Sequence, residues 1–139
     1  MNILNHHDET FRLVVYDYML PFNPDQYFES NWLKGDIEIS KKSQTKAIPL
    51  EFLQIEELMQ LSEWIDQMTN KERRSKTIFY FIEPKMRFRL WKRRRTETMM
   101  FIYHSETKDI YSWEMILNEK NVIEFKGQLD EILLKYPIR

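Results

Sequence analysis

The sequence predicts an α+β fold, an antiparallel sheet of about six to seven strands with two helices packed on one face. Three observations carry this expectation. Short runs rich in aromatic and β-branched residues recur along the chain, divided by polar breaks, as strands and their turns are. Apolar spacing changes to steps of three and four in two stretches only, the mark of amphipathic helices. Finally, 139 residues with 42% apolar and 14% aromatic side chains suit a single core of ordinary size. Residues 1–139 are therefore expected to form one domain, with residues 1–10 as a flexible N-terminus.

The elements follow in order. Phe11 to Leu20 is mostly apolar and is stopped by Pro21 and Pro24, which predicts a buried strand. Leu33, Gly35, Ile37 and Ile39 alternate with Lys34, Asp36 and Glu38, so a second strand has one packed and one wet face. Ala47 to Leu50 fits a short edge strand, because Pro49 cannot donate to a central ladder. Leu58, Leu61, Ile65 and Met68 form an apolar stripe, predicting a helix over Ile55 to Met68 with Glu56, Glu57 and Glu63 off the stripe. Asn70 would then end it in the left-handed conformation. Four runs follow: Thr77 to Glu83, Met86 to Arg93, Thr96 to Tyr103 and Ile110 to Asn118. They read as antiparallel strands, the first two joined through a corner at Glu83 and Pro84. A last helix opens with Asn121 and Glu124 in a capping-box arrangement. It packs Val122, Phe125, Leu129, Ile132, Leu133 and Tyr136 on one face and ends before Pro137.

Composition excludes several kinds of chemistry. With no cysteine there is no disulfide, zinc-thiolate site or cysteine nucleophile, which fits a reducing cytoplasm. Two glycines cannot build a P-loop or a dinucleotide-binding turn. The start shows neither the basic nor the apolar region of a secretory signal, and the longest apolar runs are far below the roughly 18 residues that span a bilayer. His6, His7, Asp8 and Glu9 could each ligate a metal, but adjacent residues rarely converge on one ion. His104 lies beside Ser105 and Glu106 without the turn that exposes a serine nucleophile. No catalytic residue, cofactor or metal site is expected.

Charge is informative through its distribution. The net charge is −1, yet Lys71 to Arg95 holds eleven of the 21 basic residues against Glu72 and Glu83. Residues 1–70 hold twelve acids against five bases. Within the basic stretch, Arg87, Arg89, Trp91 and Arg93 alternate with Met86, Phe88, Leu90 and Lys92, so the first four share one face of a strand. A basic face bearing an aromatic ring suits single-stranded nucleic acid. The simpler reading is the solvated side of a hairpin, with arginine stems covering apolar surface, and the sequence pI near 6.3 falls short of a dedicated nucleic-acid binder. Tyr27, Phe28 and Trp32 lie at or beside a loop, where aromatics serve as protein-binding anchors. Trp32 equally fits a residue that opens a strand and caps the core.

Three blocks stand out: Tyr27 to Ile39 (YFESNWLKGDIEI), Phe81 to Leu90 (FIEPKMRFRL) and Leu133 to Arg139 (LLKYPIR). Together they resemble the WapI-type immunity proteins of bacterial toxin systems. The resemblance implies a small cytoplasmic antidote that binds a cognate toxin domain made by the same cell, and it brings no catalytic residues. The chain is unusually basic from Lys71 to Arg95, so the partner of other members does not carry over. An antidote would work by occlusion, with charge complementarity speeding the encounter. Against a nuclease, whose groove is basic, the complementary surface would be acidic: Asp25, Glu29, Asp36 and Glu38, with Tyr27 and Trp32 as anchors. Nucleic acid held by Arg87, Arg89, Trp91 and Arg93 is the alternative.

Overall fold

The computed structural model describes residues 3–4, 9–42, 44–83 and 85–139, with all their side chains except those of Ile3, Leu4 and Phe52. Its elements are β1 (Ile3–Leu4), β2 (Thr10–Tyr18), α1 (Tyr27–Ser30), β3 (Trp32–Lys41), β4 (Gln44–Gln54), α2 (Ile55–Thr69), β5 (Ile78–Tyr80), β6 (Met86–Arg93), β7 (Thr96–His104), β8 (Ile110–Ile116) and α3 (Glu119–Lys135). The α+β class holds, with three helices and eight strands among the described residues where two helices and six to seven strands were expected; the added helix, α1, is a single turn, too short to show an apolar stripe. The single sheet does not hold: the strands form two antiparallel four-stranded sheets, β1-β2-β3-β4 and β5-β6-β7-β8. The break falls where α2 follows β4 without a loop and carries the chain to β5. Alternation along a strand sets which face packs but not which strand lies beside it across an intervening helix.

One core joins the layers. Phe11 on β2 lies 4.9 Å from Trp113 on β8, 5.3 Å from Phe101 on β7 and 5.8 Å from Phe125 on α3, between ring centroids. Trp64 on α2 reaches Phe79 on β5 at 6.0 Å. The stripe of α2, Leu58, Leu61, Ile65 and Met68, is buried as expected. Truncating such a ring or Leu side chain costs about 2–5 kcal/mol, because the surroundings collapse only in part.

Several local expectations are corrected. β2 is packed on one side only, with Phe11 its one fully buried residue. The edge strand predicted at Ala47 to Leu50 extends over all of β4, and Pro49 is tolerated because, among the described residues, β4 has a neighbour on one side only. Asn70 ends α2 with extended backbone instead of the left-handed conformation. The cap of α3 is Asn118, whose side chain accepts the Asn121 N–H at 2.8 Å, so the helix begins earlier than the Asn121 start implied. The run from Thr77 narrows to a three-residue β5. Pro84 of the predicted corner and His6, His7 and Asp8 lie outside the described residues.

Gly35 has a specific reason to be glycine. It pairs with Val15 where β2 bulges between Val15 and Asp17. A Cβ there would stand 2.0 Å from the Val14 carbonyl oxygen, so no other residue fits without moving the strand.

Candidate partner-binding surfaces

The loop leading into α1 and β3 is built from beneath. Ser30 and Asn31 are buried at its base. The Ser30 hydroxyl accepts the Asn23 N–H at 2.9 Å and donates to the Asn23 carbonyl at 2.8 Å. The Asn31 amide donates to the Tyr27 carbonyl at 2.8 Å, and its side-chain oxygen accepts the Arg139 N–H at 2.8 Å. The Arg139 guanidinium donates to the Ser30 and Leu20 carbonyls, at 2.6 and 2.7 Å, and lies 3.7 Å over the Tyr18 ring. Tyr136 is buried and its hydroxyl donates to the Tyr16 carbonyl at 3.0 Å. The first and last of the three sequence blocks thus meet in space. Buried polar groups satisfied in this way fix a loop firmly, since each pair broken leaves a desolvated donor or acceptor behind.

Held by this base, the loop presents apolar side chains to solvent: Leu20, Tyr27, Phe22 at 55% exposure and Phe28 at 61%. Tyr27 and Phe28 meet edge to face at 5.5 Å. The Tyr27 hydroxyl donates to Glu56 at 2.7 Å, and that carboxylate pushes the phenol pKa up. Asp25 is exposed on the same loop and Glu29 is half-exposed on α1.

The six residues expected to form an acidic surface divide between two settings. Asp25, Tyr27 and Glu29 belong to the loop and α1, whereas Trp32, Asp36 and Glu38 alternate along the outer side of β3. Trp32 is half-buried. Asp36 accepts a hydrogen bond from the Tyr16 hydroxyl, the main cause of that phenol's raised pKa, and Glu38 pairs with Arg12 at 3.4 Å. The carboxylates on β3 are therefore already answered by β2.

The basic row is placed as its alternation implies. Met86 and Phe88 point into the core, and Arg87, Arg89, Trp91 and Arg93 stand on the outer face of the second sheet. Arg89 lies 4.9 Å over the Trp91 ring. In the ladder Met100 stands opposite Arg89, and Glu114 opposite Met100. Not all of the basic stretch is surface charge. Arg74 donates to the Met68 carbonyl at the end of α2 at 2.6 Å and to Glu97 at 2.7 Å, and Lys85 pairs with Glu106 at 2.7 Å. The Arg74 hydrogen bond holds Glu97 below the usual carboxylate range.

The sequence reading missed Glu57, placed off the helical stripe but only 5% exposed. One carboxylate oxygen accepts the Gln54 N–H at 2.8 Å and the other the Ile82 N–H at 2.6 Å. Burial pushes its pKa up, and the two N–H donors pull it partly back. It borders a cavity of about 250 Å³ between β4 and the β5–β6 connection, lined also by Leu50, Lys85 and Tyr103. The available signal was its position, three residues after the helix cap Gln54.

Ser105 organises the β7–β8 turn, lying 3.0 Å from the Asp109 N–H. Among the described residues no three His, Asp or Glu side chains gather to hold a metal, and no helix is long and apolar enough to cross a membrane.

These features define a small α+β protein with two outward surfaces of distinct character, an aromatic loop and an arginine-rich sheet face. The chain belongs to the WapI-like immunity protein family, whose model matches residues 2–137. No curated protein matches it.

Proposed function

We propose that this immunity protein, as a single cytoplasmic domain, neutralises a cognate toxin by binding its toxic domain and covering the active groove, without catalysis of its own. The observation that carries the reading is the loop from Leu20 to Ser30. It exposes Leu20, Phe22, Tyr27 and Phe28 beside Asp25 and Glu29, on a base of buried hydrogen bonds. Aromatic anchors held rigid before contact lose little entropy on binding, and they carry most of the energy in many interfaces. The acids around them accelerate approach to a basic groove. Trp32, Asp36 and Glu38 extend the surface along β3, where Arg12 pairs with Glu38 and the neutral Tyr16 hydroxyl donates to Asp36. Asp25 and Glu29, on the loop and helix that carry the exposed rings, are the carboxylates placed to steer the approach to those rings.

The test uses a candidate toxin domain sought in the gene neighbouring that of this chain, with association followed across ionic strength. Changing Asp25 and Glu29 to Lys is expected to slow association roughly tenfold at low salt and to flatten its salt dependence. Association kinetics identical to the unaltered protein would remove this surface from consideration.

A further inference from the structure

We propose that the outer face of the second sheet is a separate docking surface, one that takes an acidic polypeptide segment in extended conformation. This goes beyond the toxin reading and does not rest on it. Arg87, Arg89 and Arg93 project from one side of β6, and no ion pair engages any of them among the described residues. Other surface cations such as Lys34, Lys46 and Lys120 also lack an ion pair among the described residues, so what sets this row apart is its regular placement on one face of one strand. Guanidinium groups on a strand are held at fixed intervals, with two-residue steps of about 6.6–6.8 Å. An extended polypeptide repeats its one-sided side chains at the same interval, so carboxylates at alternate positions match the arginines, each guanidinium being able to grip a carboxylate with two parallel hydrogen bonds.

The surroundings favour a polypeptide over nucleic acid. Trp91 is 40% exposed and shares an open groove of about 660 Å³ with Met100, Ile116, Thr98 and Glu114. Trp, Met and Arg together form the composition of protein interface cores. A single-stranded nucleic acid needs several stacking platforms. Here Trp91 already has Arg89 over its ring, a second exposed ring, Tyr80, stands apart from it opposite Arg87, and Glu114 would oppose a phosphate backbone. A polypeptide can place an uncharged residue opposite Glu114 and an apolar one in the groove beside Trp91 and Met100.

The probe is a fluorescein-labelled peptide Glu-Ser-Glu-Ser-Phe-Ser-Glu, compared by anisotropy with its Gln-for-Glu counterpart and with an oligothymidylate of about ten nucleotides. The acidic peptide is expected to bind at least roughly tenfold more tightly than the Gln peptide, and the triple variant R87E/R89E/R93E to lose that advantage. Trp91→Ala, which leaves the charge intact, is expected to weaken the acidic peptide by roughly threefold or more through lost ring contact. Near-UV circular dichroism establishes that each variant is folded. Equal binding of the two peptides, or acidic-peptide binding that survives the triple reversal, would overturn the proposal. Tighter binding of the oligothymidylate through the same arginines would replace it with a nucleic-acid surface.

Discussion

Arg12 and Glu38 face each other across β2 and β3 of the first sheet, with Tyr16 and Asp36 beside them. On β6 of the second sheet Arg87, Arg89 and Arg93 stand in a row, with no ion pair among the described residues. The first sheet contributes its exposed apolar surface through a loop, held by residues more than a hundred positions away. The second contributes its surface through strands whose register needs no such support. A net charge of −1 hides this difference. One surface depends for its shape on buried polar contacts, and the other depends only on the ladder beneath it. Substitutions should therefore couple stability to binding at the first and separate them at the second.

The largest expected effect is at the base of the loop. Asn31→Ala removes the donor to Tyr27 and the acceptor for Arg139, stranding a part-buried carbonyl and a part-buried N–H. The cost should be about 3 kcal/mol, measured as a lowered urea midpoint. Amide exchange at residues 20–30 should accelerate while the β6 amides keep their protection up to the global opening limit. Loss of β6 protection by local opening would break the contrast between the two regions.

Glu57 sharpens the comparison because it ties them together, accepting from Gln54 at the end of β4 and from Ile82 just past β5. Glu57→Gln keeps one acceptor and presents an amide N–H₂ to the other donor, at an expected cost of about 1–3 kcal/mol. The pH dependence adds a sign. Burial raises this carboxyl above its ordinary value, so the folded state holds the proton where the unfolded chain has begun to release it. Glu57's contribution to stability is then full below the ordinary carboxylate range and declines as pH rises through that range to the raised value. The stability advantage over Glu57→Gln should shrink across this interval. An advantage that grew with pH would mean that the two N–H donors outweigh burial.

Much of this could be read along the chain, for identifiable reasons. The stripe Leu58, Leu61, Ile65 and Met68 located α2 almost to the residue, since helical periodicity is a local property. Alternation through Leu33 to Ile39 and through Met86 to Arg93 set the packed and wet faces of β3 and β6. The division into two sheets was not legible, because strand partners across α2 have no local signature. The candidate sites divide along the same line. The outward placement of Arg87, Arg89 and Arg93 followed from alternation, whereas the lack of ion pairs there depends on strands distant in sequence. Asn31 and Arg139 lie 108 residues apart, and nothing in either neighbourhood announces the contact. Glu57 carried half of its signal locally, in its spacing from Gln54. Its burial comes from the chain near Ile82 and could not be read from a helical stripe.

The smallest expected effect falls on the second sheet. Changing Arg87, Arg89 or Arg93 singly to Ala should alter stability by no more than about 0.5 kcal/mol, the usual range for surface positions without a partner to strand. Arg89 is the sharper case because it also covers the Trp91 ring at 4.9 Å. That contact is worth about 0.5–1 kcal/mol at most where solvent reaches it. Arg89→Lys preserves the charge but loses the planar stacking of the guanidinium, so a double cycle with Trp91→Ala separates the ring contact from bare charge. A coupling near zero with both single variants fully stable would leave the arginine row without a role in holding the fold. A loss of about 2 kcal/mol or more at any of the three, outside the usual range for exposed positions, would show that the outer face of the second sheet is as dependent on its polar contacts as the loop on the first.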